Sequence, residues 1–239
     1  MIKIENVEVV GWEHALRGMR NPKNSWEKSD TEIFITLIGY TPNGEGCYEG
    51  YLGDNDRDLC NRLANGGPVH AKYRRMITVY LDVVAPLYWW KEYDTYKVGT
   101  VANSCSTMHK IHEKEFTLDD FSCEHLNSES LKILENVIWS LNISRDAFRS
   151  NTLNKDFWWQ MIQLLPSSYN QRRTLMLNYE VLANIYRWRK DHKLDEWKDF
   201  CKWIESLPYS ELITGPSLSD IPICNEIMDE AVARVKKGE

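Results

Sequence analysis

Apolar and polar residues alternate from Ile2 to Val10 and again from Glu32 to Tyr40, the two-residue period of strands with one buried face. Between them, Trp12 to Met19 has the wider spacing of a short helix. Asn43, Gly44 and Gly46 predict a turn. Asp56 to Ala64 reads as a helix stopped at Asn65-Gly66-Gly67, where a left-handed residue is easiest to supply. The clearest strand is Met76 to Val84: Ile77, Val79, Leu81 and Val83 point one way, and Thr78, Tyr80 and Asp82 the other. Pro86 closes it, Leu87 to Lys97 forms a short helix, and Gly99 releases that helix into a loop. Beyond Phe116 the pattern is helical to the end. Ser128 caps a run through Phe148, Lys155 to Leu165 stops at Pro166, and one long helix spans Asn170 to Lys190. Two more lie near Leu194 to Ser206 and Ser219 to Lys236. Early strands and late helices predict a single α+β domain over residues 1–239, a helical layer covering a mainly antiparallel sheet.

Charge and composition narrow the classes of function. The 239 residues carry a formal net charge of −6, which argues against a broad basic face for nucleic acid and leaves room for a local pocket that holds one phosphate. No basic segment leads into an apolar one near Met1, and no apolar run reaches the length of a membrane span, so the expectation is a cytoplasmic protein that meets no membrane. Six scattered cysteines without a CxxC pair fit reduced thiols. His109, His112 and His125 lack an acidic partner at a metal-binding spacing, so no metal is expected, and Cys105 with His109 lacks the third group that would orient a nucleophilic pair. Neither GxGxxG after a strand nor GxxxxGK[ST] occurs, so phosphate must be held some other way.

Candidate chemistry concentrates between Ala85 and His109. Trp89, Trp90, Tyr93 and Tyr96 alternate with Lys91, Glu92, Asp94 and Lys97, and Asn103, Ser104, Ser106 and Thr107 follow with short donors and acceptors. The run reads as the lining of a ligand site; the competing reading is a Trp-rich core. A second pattern lies in Asn170 to Lys190. Asn178, Asn184 and Arg189 are separated by turns of about 600° and 500° on a helix, so they need not share one stripe.

The order of these features resembles the flavin-dependent (alternative) thymidylate synthases over residues 70–207. His70, a strand ending in Ala85-Pro86, the aromatic and charged helix Trp89 to Lys97, and Asn103-x-x-Ser106 come in the family's order. Leu165-Pro166 and then Asn178, Asn184 and Arg189 complete the series. The chain departs from the family's Arg-His-Arg motif, for which it has Thr95-Tyr96-Lys97, and Met108 stands where the family has a second phosphate-binding arginine. Thr95 and Met108 cannot make the charge-assisted, bidentate contacts of arginine.

The resemblance implies an α+β fold of that family and an enzyme that binds FAD. It implies reductive methylation of dUMP to dTMP with methylenetetrahydrofolate and NADPH, in a homotetramer whose sites lie between subunits. Carried over by position, Ser106 and Arg189 would be the catalytic contacts to the nucleotide. His70, Tyr96, Lys97, Asn103, Asn178 and Asn184 would bind the flavin, and Lys91, Glu92 and Thr95 would join Ser106 and Arg189 around the substrate. The altered triplet prompts two alternatives: a flavoenzyme of the same fold acting on another, modified pyrimidine nucleotide, or a non-catalytic flavin- or nucleotide-binding protein.

Overall fold

A computed structural model describes residues 2–31, 33–40 and 46–215. The expected turn residues Asn43 and Gly44, the helix Ser219 to Lys236 and Cys224 lie outside the described residues. By its contacts the chain divides into two compact units interleaved in sequence. The first takes the described residues of Met1–Val7, Tyr80–Met176 and His192–Phe200; the second takes those of Glu8–Val79, Leu177–Asp191 and Cys201–Glu239.

The main sheet has four strands in the order β1-β4-β6-β5, namely β1 (Lys3–Val10), β4 (Thr78–Pro86), β6 (Asn170–Asn178) and β5 (Val101–Ser104). A separate antiparallel pair, β2 (Ile33–Tyr40) and β3 (Gly46–Tyr51), forms a two-stranded sheet. The fold is thus the expected mixture of helices with antiparallel sheet. In β4 the predicted alternation decides burial: Ile77, Val79, Leu81 and Val83 are all at most 1% exposed, whereas Tyr80 is 43% exposed.

The first unit carries two apolar clusters. Helices α4 (Ser128–Ser150) and α5 (Lys155–Leu164) pack together and bury Leu134, Ile138, Leu141 and Met161 with Ile111, Phe116 and Phe121. Helix α3 (Leu87–Tyr93) meets the residues of α7 (Asp195–Glu205) that belong to this unit, through Trp89, Trp197 and Phe200. In the second unit, α1 (Trp12–Arg20) sets Trp12 edge-on against Tyr179 and Tyr209 at 5.5 and 5.8 Å. Around it lie α2 (Asp54–Asn65), α6 (Tyr179–Arg189), α8 (Glu211–Thr214) and the 3-10 segment Ala71–Met76, against which α1, α2 and α6 all pack.

Several sequence expectations need correction. Asn170 to Lys190 is not one helix: residues 170–178 form β6 and only Tyr179–Arg189 is helical. The deciding signal is a period of two, with Gln171, Leu175 and Leu177 buried and Arg172 and Thr174 exposed, joined to backbone partners that β5 supplies. Likewise, the loop expected at Asn103 begins as strand β5. Helix α3 ends at Tyr93 rather than Lys97, because Thr95 turns its hydroxyl back to the Glu92 carbonyl at 2.8 Å and competes with the next helical turn. The cap of α4 is Asn127, whose Oδ1 accepts from the Ser130 N–H at 2.8 Å, and not Ser128.

At the start of α2 the capping group comes from elsewhere in the chain. Asp30 accepts from the N–H groups of Asn55 and Asp56 at 2.9 and 3.1 Å. Gly53 lies under that carboxylate, and a Cβ there would come within 2.2 Å of Asp30 Oδ1. Gly53→Ala is therefore expected to cost about 1–3 kcal/mol through displaced packing, although its φ of −58° suits any residue. Thermal unfolding of Gly53→Ala beside Asp30→Ala checks this: a Gly53→Ala protein as stable as the wild type would show that the cap yields without cost.

Candidate functional site

The aromatic run expected to line a site is largely core. Trp89, Trp90 and Tyr93 are 0, 1 and 2% exposed. The reason is position on α3: residues 89, 90 and 93 fall on one side of a helix, and that side is covered. Trp89 stacks on Tyr93 at 5.3 Å and touches Trp197 at 4.7 Å, so its faces are already occupied by other rings. Trp90 donates its indole N–H to the Gln171 carbonyl at 3.0 Å.

The other residues expected in this stretch occupy the edge of that core. Lys91, Thr95 and Lys97 are exposed, and Tyr96 is half-buried with its ring 6.0 Å from Trp197. Glu92 reaches inward, where Oε2 accepts from the Trp197 indole N–H at 2.9 Å and lies 3.4 Å from His192 Nε2. Asn103 is exposed on β5, paired with Thr174, and Ser104 pairs with Arg173. Neighbours along a strand face opposite ways, so Asn103 and Ser104 cannot serve one pocket on the same face. Ser106 shapes the following turn: its exposed Oγ accepts from the N–H groups of Met108 and His109 at 3.1 and 2.8 Å, leaving its own O–H free to donate to a ligand.

Two arginines that sequence reasoning missed stand beside this segment. Arg172 bonds Asp82 at 2.9 Å and Glu5 at 3.1 Å on the open side of the sheet. Hydrogen bonds from Thr174, Asn6 and Arg172 hold the Asp82 carboxyl below the usual aspartate range. Arg173 lies on the opposite side, 4.3 Å above the Trp90 ring, and bonds Asp94 and Gln171. Both lie on a strand where the sequence predicts a helix, and the alternation Gln171, Arg173, Leu175, Leu177 is the signal for that strand.

The second unit holds the remaining expected residues. His70 is exposed at the start of the 3-10 segment and lines an open cleft of about 1150 Å³ between α1 and α2. Lys23, Lys28 and Lys72 add cationic side chains to its lining, Arg62 is paired there with Asp58 at 2.8 Å, and Leu59, Leu63 and Met76 add apolar wall. Asn178 is the cap of α6, its Oδ1 accepting from Val181 N–H at 3.1 Å, which leaves its amide N–H groups available. Asn184 is exposed and Arg189 half-buried on the same helix, and none of the three lines the cleft. The expected residues thus gather in two sets: Lys91, Glu92, Thr95, Tyr96, Lys97, Asn103 and Ser106 in the first unit, and His70, Asn178, Asn184 and Arg189 in the second. Among the described residues, no group of three His, Cys, Asp or Glu side chains could hold a metal ion, and no helix is long and apolar enough to cross a membrane.

The fold is similar to that of thymidylate synthases of known structure. The protein is similar to Helicobacter pylori thymidylate synthase X (ThyX) in a structure with FAD and dUMP, at a TM-score of 0.61 and 16% identity over 90% of this chain and 98% of that one. A second ThyX structure from Helicobacter pylori, also with FAD and dUMP, gives 0.58 and 17% over 89 and 97%. The UMP/dUMP methylase PolB from Streptomyces cacaoi, bound with 5-Br dUMP, gives 0.56 and 12% over 90 and 95%. No protein-family model and no curated protein sequence matches the chain.

Proposed function

We propose that the protein is a flavin-dependent enzyme that methylates a uracil nucleotide: it converts dUMP to dTMP with methylenetetrahydrofolate as one-carbon donor and NADPH as reductant, working as a cytoplasmic homotetramer. The observation that carries this reading is a shared fold over 90% of the chain with enzymes bound to dUMP or 5-Br dUMP.

The cleft at His70 fits FAD in size and chemistry. Leu59, Leu63 and Met76 would take a flat ring, and Lys23, Lys28 and Lys72 would take the pyrophosphate. Asn178 and Asn184 do not line this cleft and are left out of this flavin site, as are Tyr96, Lys97 and Asn103 of the first unit. When bound, the flavin supplies hydride transfer. Of the residues carried over by position, Ser106 of the first unit would meet the nucleotide through its O–H, beside Lys91, Glu92 and Thr95, and Arg189 of the second unit would meet a pyrimidine. A second reading, a different pyrimidine nucleotide as substrate, is favoured by one feature. Thr95 and Met108 stand where the family has arginines, and one of the similar enzymes methylates UMP as well as dUMP.

The test is a titration with FAD followed by mass analysis of dUMP and UMP incubated with methylenetetrahydrofolate and NADPH. The expected results are flavin uptake and a gain of one methyl group on dUMP. Flavin uptake with methylation of UMP alone supports the second reading, and a protein that takes up no flavin overturns both.

A further inference from the structure

The sequence loses the arginines with which a phosphate ester would be gripped, and the structure places another arginine beside the segment that lost them. Arg173 projects from β6 toward α3. Its guanidinium carbon lies 4.3 Å from the centroid of the Trp90 ring, a cation–π contact that helps hold the fork in place. Nε donates to Gln171 Oε1 at 3.0 Å, and the other end of that amide donates to the Cys105 carbonyl at 2.6 Å. The orientation of the arginine is thereby tied to the backbone that leads into Ser106.

Only one charge answers it among the described residues. Nη1 donates to Asp94 Oδ1 at 2.7 Å, and the side chain of Asp94 is 49% exposed whereas that of Arg173 is 14% exposed. Nη2 has no partner among the described residues. A held cation with one free edge, paired with a carboxylate that can turn into water at little cost, is arranged for anion exchange. Ser104 lies directly opposite Arg173 across the β5–β6 ladder, so its hydroxyl is on the same face, and Thr95 follows Asp94 in the chain.

We propose that Arg173 binds the phosphate group of a nucleoside monophosphate, and that Asp94 is the resident carboxylate which that phosphate displaces. The identity of the ligand as a uracil nucleotide rests on the function proposed above; the anion site itself does not. The fork offers Nη1 and Nη2 together once Asp94 leaves, which restores the bidentate grip that Thr95 and Met108 cannot provide.

Calorimetric titration of wild type, Arg173→Gln, Arg173→Lys and Asp94→Asn with dUMP, deoxyuridine and inorganic phosphate tests this, with thermal melts to confirm that each variant folds. Arg173→Gln is expected to weaken dUMP by roughly 10- to 100-fold and to leave deoxyuridine unchanged. Arg173→Lys, which keeps the charge and loses the fork, is expected to fall between. Asp94→Asn, at a half-exposed position that tolerates change, is expected to tighten both dUMP and phosphate severalfold. Unchanged dUMP binding in Arg173→Gln overturns the proposal and leaves the nucleotide reading intact, as does an equal loss of dUMP and deoxyuridine. So does an Asp94→Asn protein that binds dUMP more weakly than wild type. Phosphate binding that depends on Arg173, in a protein that ignores dUMP, keeps the anion site and removes the nucleotide reading.

Discussion

Asp56→Ala is expected to destabilise the second unit by about 3–5 kcal/mol, because it leaves Arg20 buried without its counter-charge. Asp56 is 0% exposed and Arg20 4%. Arg20 Nε donates to Asp56 Oδ1 at 2.7 Å, and Nη2 lies in ion-pair contact with the same oxygen, also at 2.7 Å. Oδ2 accepts from the hydroxyls of Ser29 and Thr31, each at 2.7 Å, so both oxygens are satisfied and the cost of burying the charge is offset. Asp56→Asn keeps the shape and loses the charge, which separates the ionic part from packing. Denaturant melts of the three proteins check the order wild type, Asp56→Asn, Asp56→Ala, and equal midpoints would show that the pair contributes nothing net.

The same carboxylate sets an acid limit. Burial raises the Asp56 pKa, but hydrogen bonds from Thr31, Ser29 and Arg20 outweigh it and hold the group below the ordinary aspartate value. A depressed folded-state pKa means that the stabilisation is fully present above the unfolded value of about 3.9 and is lost as pH falls through the folded one. Stability measured from pH 7 downward should therefore drop below about pH 4 in the wild type, and Asp56→Asn should lose that part of the slope.

Trp89→Ala is expected to cost about 3–5 kcal/mol in the first unit. Its indole is fully buried among Trp90, Tyr93, Trp197 and Phe200, with ring centroids 4.7–5.5 Å away, and alanine leaves a cavity that these large rings cannot close. Trp89→Phe should cost much less, since the indole N–H has no hydrogen-bond partner among the described residues and its removal relieves a buried unpaired donor. Lys91→Ala, on the exposed side of the same helix, should change stability by less than about 0.5 kcal/mol. Thermal melts of the three variants decide the matter. A stable Trp89→Ala protein that loses only ligand binding would restore the reading of this ring as site lining.

Much of the fold is legible along the chain, and particular residues show where legibility stops. The strand β4 could be read because its period of two is unbroken and each inward residue is apolar. Strand β6 could not be read as easily: its inward positions include Gln171 and Arg173, polar residues that belong inside only because Trp90, Asp94 and the Cys105 carbonyl are there to receive them. Those partners are distant in sequence, so no local window contains the reason. Asn178 shows the same division. Its place in the order of features is a sequence property, whereas its role as the cap of α6 follows from a strand ending one residue earlier than the helix begins.

The residues Ala85 to His109 mark the boundary most clearly. By itself the sequence determined that aromatic and charged side chains would alternate there on a strand, a helix and a turn, because local spacing dictates which residues share a face. Only the tertiary structure decided that Trp89, Trp90 and Tyr93 are core, that Glu92 turns inward to Trp197, and that Lys91, Thr95 and Ser106 remain at the surface. The physical reason is that a ring's burial depends on what covers it. For Trp89 the cover is Trp197 and Phe200, more than a hundred residues along the chain, brought near by packing that local spacing does not encode.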